Sequence, residues 1–251
     1  MRKTLLVGGD SFSDQDCRSY ADTDIITWPI LLAEKLDMDL VCVAQSGAGN
    51  EQIYSSILDW ICENGSDDIG MVIAGWSKSE RMDYEVLKFR YTEPWYNTRV
   101  SPRGDIYGWI RKSIRNFYNL QTLCENHNIP YKQFQMISLF VTYLSEYYKN
   151  DFTRTRMDCI DYLNQSPQFD MIYPQNFIGW PLYKEHNGFV VGDQTVHQGW
   201  TSDNKLANDI LESSYYKSVQ DPYLKYVVSD TDPHPNKAGH ELIMEFVYEY
   251  L

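Results

Sequence analysis

Gly9-Asp10-Ser11-Phe12-Ser13 stands directly behind the short apolar run Lys3-Thr4-Leu5-Leu6-Val7. A glycine-flanked serine at the tip of a first buried strand sits where open α/β sheets present reacting groups. Near the other end of the chain, Asp230-Thr231-Asp232-Pro233-His234-Pro235-Asn236 places a histidine among aspartates, ahead of an apolar helical pattern. A serine hydroxyl is a poor nucleophile at neutral pH and needs a neighbouring base. Histidine has the right unperturbed pKa for that role, and a carboxylate on its other nitrogen fixes the tautomer. The two clusters together have the parts for acyl transfer through Ser11. Each also has a plain local reading: glycine, aspartate and serine make turns for their own reasons, and a proline-bounded run often precedes a helix.

The elements that must position these residues are legible as alternating strands and helices. Residues 3–8 read as a first strand. A helical pattern follows from Thr23 to Leu36, then a strand over Leu40-Val41-Cys42-Val43. Asn50 reads as the cap of a second helix, whose stripe is Ile53, Ile57, Leu58 and Ile61. Ile69 to Ala74 reads as a third strand, and Tyr107 to Asn126 as a third helix. Tyr131 to Ser138 reads as a fourth strand, followed by a helix from Leu139 to Lys149. A last helix runs from Lys237 to Tyr250. This alternation predicts an α/β fold, a three-layer α/β/α sandwich around a central, mostly parallel sheet. Residues 78–105 and 150–226 do not fit the alternation and read as insertions over the face carrying the strand exits. Nothing between them reads as a linker, so residues 1–251 are expected to form a single domain.

Composition narrows the function classes. With 22 basic and 35 acidic residues, the formal net charge of −13 opposes a nucleic-acid or anionic-membrane binder, because phosphate binding needs clustered Lys and Arg. Cys17, Cys42, Cys62, Cys124 and Cys159 show no Cys-x-x-Cys spacing, and no two histidines have helical ligand spacing. Neither a disulfide framework nor a metal site is expected, and no cofactor is implied. Cys42 and Cys62 lie in apolar runs and read as small buried residues. The apolar part of the N-terminus is too short for a signal peptide, and no stretch is long enough to span a membrane. His127, His186 and His197 have no partner pattern, and His240 reads as structural or as support for His234.

With these motifs in place, the chain resembles the SGNH hydrolases, also called GDSL esterases and lipases. That family carries four short motif blocks at the carboxyl edge of a flavodoxin-like parallel sheet. Its first block is similar to Gly9-Asp10-Ser11-Phe12-Ser13, which implies that Ser11 is the nucleophile, with Asp10 beside it. The second is similar to Gln45-Ser46-Gly47-Ala48-Gly49-Asn50 and implies that the N–H of Gly47 joins that of Ser11 in binding an oxyanion. Asn50 is an alternative donor at this position. The last block ends in His-Pro, as His234-Pro235 does here, and implies that His234 is the base. The third block normally reads Gly-x-Asn-Asp, its Asn donating to the oxyanion. Here Gly75-Trp76-Ser77-Lys78 puts Ser77 in that place, where a hydroxyl can still donate one hydrogen bond. The family's aspartate stands three residues before the histidine, a position held here by Thr231. Asp232 is favoured as the orienting acid, with Asp230 as the alternative.

Local phrases extend the likeness. Trp28-Pro29, Gly75-Trp76-Ser77 with Glu80-Arg81, Phe177-Ile178-Gly179-Trp180-Pro181, and Asp232 to Asn236 with Gly239-His240 resemble SGNH-like proteins of tailed bacteriophages. That resemblance implies residence in the cytoplasm of an infected bacterium or in a virion. The implied reaction is hydrolysis of a small acyl ester, such as an O-acetyl group on a bacterial glycan, through a serine acyl-enzyme. An acyltransferase would use the same site. The altered third block and displaced aspartate also leave open a weakened SGNH-fold protein serving as a binding or virion component.

Overall fold

The computed structural model describes residues 2–79, 81, 83, 106–137, 139, 159–182, 188–191, 226–229 and 232–251. Five strands form one sheet: β1 (Thr4–Gly8), β2 (Asp39–Cys42), β3 (Ile69–Trp76), β4 (Tyr131–Gln135) and β5 (Phe177–Ile178), in the order β2-β1-β3-β4-β5. Every pairing is parallel. A parallel sheet is covered on both faces, so its strands alternate between two cores rather than between core and water. Leu6, Val72, Ala74 and Trp76 face one core with α2 (Asn50–Asn64) and α3 (Ile106–Asn126). Leu5, Val7, Ile73 and Phe134 face the other with α1 (Trp28–Leu36) and the last helix, α4 (Lys237–Tyr248). The chain is therefore an α/β protein of three layers with a central all-parallel sheet.

The strand order decides where chemistry can sit. From β1 the chain crosses to β2 on one side, then returns to β3 on the other. The crevice between the carboxyl ends of β1 and β3 is the switch point where such sheets bind ligands. Ser11 leaves β1 there, and Ser77 leaves β3 beside it.

Several elements depart from the sequence expectation for identifiable reasons. The first helix begins at Trp28, not Thr23. A proline ring clashes with the carbonyl four residues back, so Pro29 is tolerated only in the first turn of a helix, and α1 starts one residue before it. Gln15 satisfies the freed backbone instead: its Oε1 accepts from Thr27 N at 3.0 Å and its Nε2 donates to Ile25 O at 3.1 Å. Asn50 does not cap α2. The cap position is Gly49, and the side chain of Asp83 reaches across to accept from Gly49 N at 2.7 Å and Gln52 N at 3.0 Å. A carboxylate there answers both the unpaired N–H groups and the positive end of the helix. Cys42 and Cys62 are exposed: Cys42 ends the edge strand β2, and Cys62 lies off the buried Ile53-Ile57-Ile61 stripe of α2. The other three cysteines are buried.

Within the expected insertion at 150–226, Phe177–Ile178 adds the edge strand β5 by pairing with Gln133 and Phe134. Two residues are too few to show a strand pattern. The rest of that segment is described only at 159–176, 179–182, 188–191 and 226, and the 78–105 segment only at 78, 79, 81 and 83. The helix expected from Leu139 to Lys149 lies outside the described residues apart from Leu139. Among the described residues no helix is long and apolar enough to cross a membrane, and no cluster of His, Cys, Asp or Glu is arranged to hold a metal.

At Gly8, the last residue of β1, α2 packs closely on the sheet. A Cβ placed there would lie 2.6 Å from Ile57 Cδ1 and 3.3 Å from Ile53 O. Gly8→Ala is expected to cost about 1–3 kcal/mol through overpacking. Adding Ile57→Val, which removes the clashing methyl, should recover part of that loss. Urea unfolding of the two variants against wild type measures both effects.

Candidate active site

Ser11 and His234 lie 223 residues apart in sequence, and the fold brings them into contact. Ser11 Oγ is 2.9 Å from Nε2 of His234, and Nδ1 of His234 is 2.6 Å from Oδ1 of Asp232. The same carboxylate oxygen accepts from the backbone N–H of His234 at 3.1 Å. This is the two-residue aspartate turn that short polar side chains form on their own backbone. It explains how an aspartate only two positions before the histidine can reach the ring. Asp230, the alternative acid, lies outside the described residues.

Burial works to raise the Asp232 carboxyl, but hydrogen bonds from the His234 ring and from Ser19 outweigh it and hold the group below the ordinary aspartate value. Its ionised form is therefore favoured by folding. That contribution is present above about pH 4, the unfolded value, and is lost as pH falls through the folded one. The site is narrow: Ser11 is 7% exposed, while the His234 and Asp232 side chains keep 22% and 29% of their surface.

The end of the site formed by β1 and β3 is built around Asp10, which has no solvent exposure. Its Oδ1 accepts from Phe12 N at 3.1 Å, and its Oδ2 accepts from Ser77 Oγ at 2.8 Å and from Arg81 at 2.9 Å. Arg81 also donates to Ala48 O at 2.9 Å, so it ties the turns after β1 and β2 together. The hydroxyl of Ser77 has one proton, and it goes to Asp10. Sequence reasoning offered Ser77 as an oxyanion donor; its side chain is wholly buried and faces the carboxylate instead. Asn50 is likewise an internal strut: its Oδ1 accepts from Ser77 N at 2.8 Å and its Nδ2 donates to Ser113 Oγ on α3 at 2.9 Å. Among the described residues, the N–H groups of Ser11 and Gly47 have no acceptor. Gly47 has φ of +85°, the left-handed region open to glycine at no steric cost.

Behind His234 stand Tyr20 and His240. The Tyr20 ring lies edge-on to both, with centroids 6.1 Å from His234 and 5.1 Å from His240. Nδ1 of His240 accepts from Trp28 N at 3.2 Å, which pins α4 to the start of α1. The proton of the neutral ring is then on Nε2. Burial, with the neighbouring His234 adding to it, pushes His240 down to about 3.

Two residues of this site were not among the candidate site residues read from the sequence. Ser19 lies 3.1 Å from Nδ1 of His234, and Arg81 is the cation beside Asp10. Neither sits in a motif with a spacing that points at its partner.

No protein-family model matches the chain, and no curated protein sequence matches it. Among solved structures, the chain is similar to a protein assigned to the G-D-S-L family of lipolytic proteins from Desulfitobacterium hafniense, at 15% identity and a TM-score of 0.46, over 99% of both chains. It is also similar to the psychrotrophic esterase EstA from Pseudoalteromonas, at 14% identity and a TM-score of 0.46, over 99% of this chain and 96% of that one. A third is the acetyl xylan esterase AlAXEase, at 10% identity and a TM-score of 0.46, over 99% of both chains. The residue assignments rest on the geometry above, not on these likenesses.

His240 gives a stability signature. Its unfolded value is about 6.5, so as pH falls below that, the unfolded chain takes up a proton that the folded chain refuses. Stability is full above the unfolded value and declines toward about pH 3. Wild type should lose about 2 kcal/mol more than His240→Gln between about pH 7 and about pH 5, read by urea unfolding at each pH. Ser77→Ala should leave Asp10 short of a donor and cost about 1–3 kcal/mol of stability. Kinetics of the same variant check the companion expectation, that it loses far less than the ~10²–10³ in turnover that removing an oxyanion donor costs.

Proposed function

We propose that the chain is a serine ester hydrolase of SGNH type, acting on small acyl esters through a covalent acyl-enzyme, and that it forms a single domain. The observation that carries this reading is the continuous chain of contacts from Ser11 Oγ through both ring nitrogens of His234 to Asp232, at 2.9 and 2.6 Å. Those separations are within the range needed for proton transfer between a nucleophile and its base. They lie at the switch point of the sheet, where a substrate has access to strand exits.

In the proposed reaction, Asp232 accepts the Nδ1 proton of His234 in a hydrogen bond and leaves Nε2 free to take a proton. Ser11 Oγ attacks the ester carbonyl as His234 Nε2 removes its proton. The carbonyl oxygen becomes an oxyanion, bound by the N–H groups of Ser11 and Gly47. Collapse expels the alcohol, which takes the proton from His234. Water then attacks the acyl-serine with His234 again as base, and Ser11 is restored. An alcohol in place of that water makes the protein a transferase by the same steps. A small acyl group suits the narrow opening at Ser11. An O-acetylated glycan of a bacterial host remains the proposed natural substrate.

A second reading is favoured by two observations. Ser11 is nearly buried, and the Ser77 hydroxyl is committed to Asp10, which leaves fewer donors for an oxyanion. A binding or virion component on the same fold would tolerate both features.

Hydrolysis of p-nitrophenyl acetate decides between the readings. Wild type should turn over, Ser11→Ala and His234→Ala should fall to background, and Asp232→Asn should lose about 10²–10⁴ in kcat. Equal background in all four proteins would overturn the esterase reading. Repeating the assay with added alcohols, and measuring transesterified product, separates transferase from hydrolase.

A further inference from the structure

A triad accounts for one acceptor on Nδ1 of His234, yet this ring nitrogen has two oxygen neighbours. The second is Ser19 Oγ at 3.1 Å, from a residue 215 positions away in sequence. Ser19 sits in the short 3-10 turn Arg18–Tyr20 that follows the β1 exit. That turn is held on both sides: Tyr20 N donates to Cys17 O at 2.9 Å, Thr23 Oγ1 donates to Tyr20 O at 2.7 Å, and the Tyr20 ring is packed against His234 and His240. Ser19 is half-buried, so its hydroxyl does not sweep through solvent.

Proton counting assigns the roles. Nδ1 carries one proton, and the ionised carboxylate at 2.6 Å is the stronger acceptor for it. The Ser19 hydroxyl keeps its own proton to donate, and the Asp232 carboxylate, facing the same Nδ1, is the acceptor that suits it. A carboxylate oxygen pair has room for about four such bonds. The His234 backbone N–H and ring N–H take two on Oδ1.

We propose that Ser19 is a positioning residue, a fourth member of the Ser11–His234–Asp232 chain, whose hydroxyl locks the Asp232 carboxylate and lies against Nδ1 so that Nε2 faces Ser11. It compensates for the location of Asp232. An aspartate two residues from its histidine is held by a tight turn on its own backbone and needs a second anchor from outside that turn. The proposal rests on the esterase reading for its kinetic consequence, but not for its geometry.

The test uses the full chain as wild type, Ser19→Ala and Ser19→Thr. Groups facing His234 are Asp232 on its own loop, Ser11 and Phe12 from the β1 exit, Ser19 and Tyr20 from the 3-10 turn, and His240 from α4. Of these, only Ser19 changes. With p-nitrophenyl acetate, Ser19→Ala should lose roughly tenfold in kcat with KM unchanged, and Ser19→Thr should restore most of it. The acid limb of the kcat profile should move upward in Ser19→Ala alone, because Asp232 has lost a donor to its charged form. Unchanged kcat and profile in Ser19→Ala, or a loss that threonine does not rescue, would overturn the proposal. Proton NMR keeps the test independent of turnover. The Nδ1–H resonance of His234 should be sharp in wild type, broadened in Ser19→Ala and sharp again in Ser19→Thr. If wild type is inert but this pattern holds, the esterase reading fails and the positioning role stands. If wild type is active and the resonance is identical in all three, the positioning role fails alone.

Discussion

A carboxylate with no access to water must be answered by donors, and Asp10 draws its donors from three separate places. Phe12 N comes from the turn after β1, Ser77 Oγ from the exit of β3, and Arg81 from the segment beyond it. Burying a lone ionised group costs several kcal/mol even after relaxation, and breaking one partner of such a pair typically costs about 3–5. The turn that carries Ser11 is therefore not free to move relative to the end of β3. Asn50 extends the same lattice, joining the start of α2 to Ser77 N and to Ser113 on α3. Gln135 adds a floor, its Nε2 donating to Ser77 O at 2.7 Å and Ile137 O at 2.6 Å. A buried polar network holds the elements it joins in one arrangement where its members are paired, as the Asp10, Ser77 and Asn50 side chains are. Here it fixes where the Ser11 loop stands.

The other half of the site is fixed by a different device. The loop holding Asp232 and His234 is clamped from both ends. Val227 and Pro235 pair as an isolated antiparallel bridge, and Val228 N donates to His234 O at 2.9 Å. Asn236 caps α4 by accepting from Gly239 N at 3.0 Å and donates back to Val227 O at 2.9 Å. Gly239 is required by this closure, since a Cβ there would fall 2.3 Å from Tyr226 O. One turn into α4, His240 holds Trp28 N. The helix is thereby docked on α1, and the loop before it is delivered to the β1 exit. Electrostatics secures the Ser11 side and helix docking secures the His234 side.

Much of this was legible in the chain because it follows from local pattern. Ser11 stands at a strand exit and His234 at a helix entrance, and in a parallel sheet those two places face one edge. Four of the five strands were legible from apolar runs, and β5, two residues long, was not. What was not legible depended on partners far away in sequence. Asn50 has the composition of a cap, yet Asp83 takes over that work and frees Asn50 for the interior. Ser77 has a hydroxyl that suits an oxyanion, and nothing local says that Asp10 will claim its proton. Cys42 reads as buried from its apolar neighbours, but an edge strand leaves its last residue open. Ser19 belongs to no motif, because its meaning exists only once residue 234 is folded against it.

The oxyanion side of the proposed reaction rests on backbone donors and does not depend on a side chain after β3. A side-chain donor can be lost by substitution, whereas a backbone N–H cannot. Ser11 N and Gly47 N are both backbone donors, and neither is spent among the described residues. Gly47 holds φ of +85°, and an added Cβ there would meet nothing within 4 Å. The constraint at Gly47 is thus conformational rather than steric. An L-residue would have room but would pay about 1–2 kcal/mol to sit in the left-handed region. That strain would move the N–H before it unfolded the loop. Ser77 offers no donor to the proposed oxyanion and, by giving Asp10 a hydroxyl, stiffens the turn after β1 that presents Ser11 N. In the proposed site Ser77 thus adds rigidity to the frame around the oxyanion rather than a donor to it.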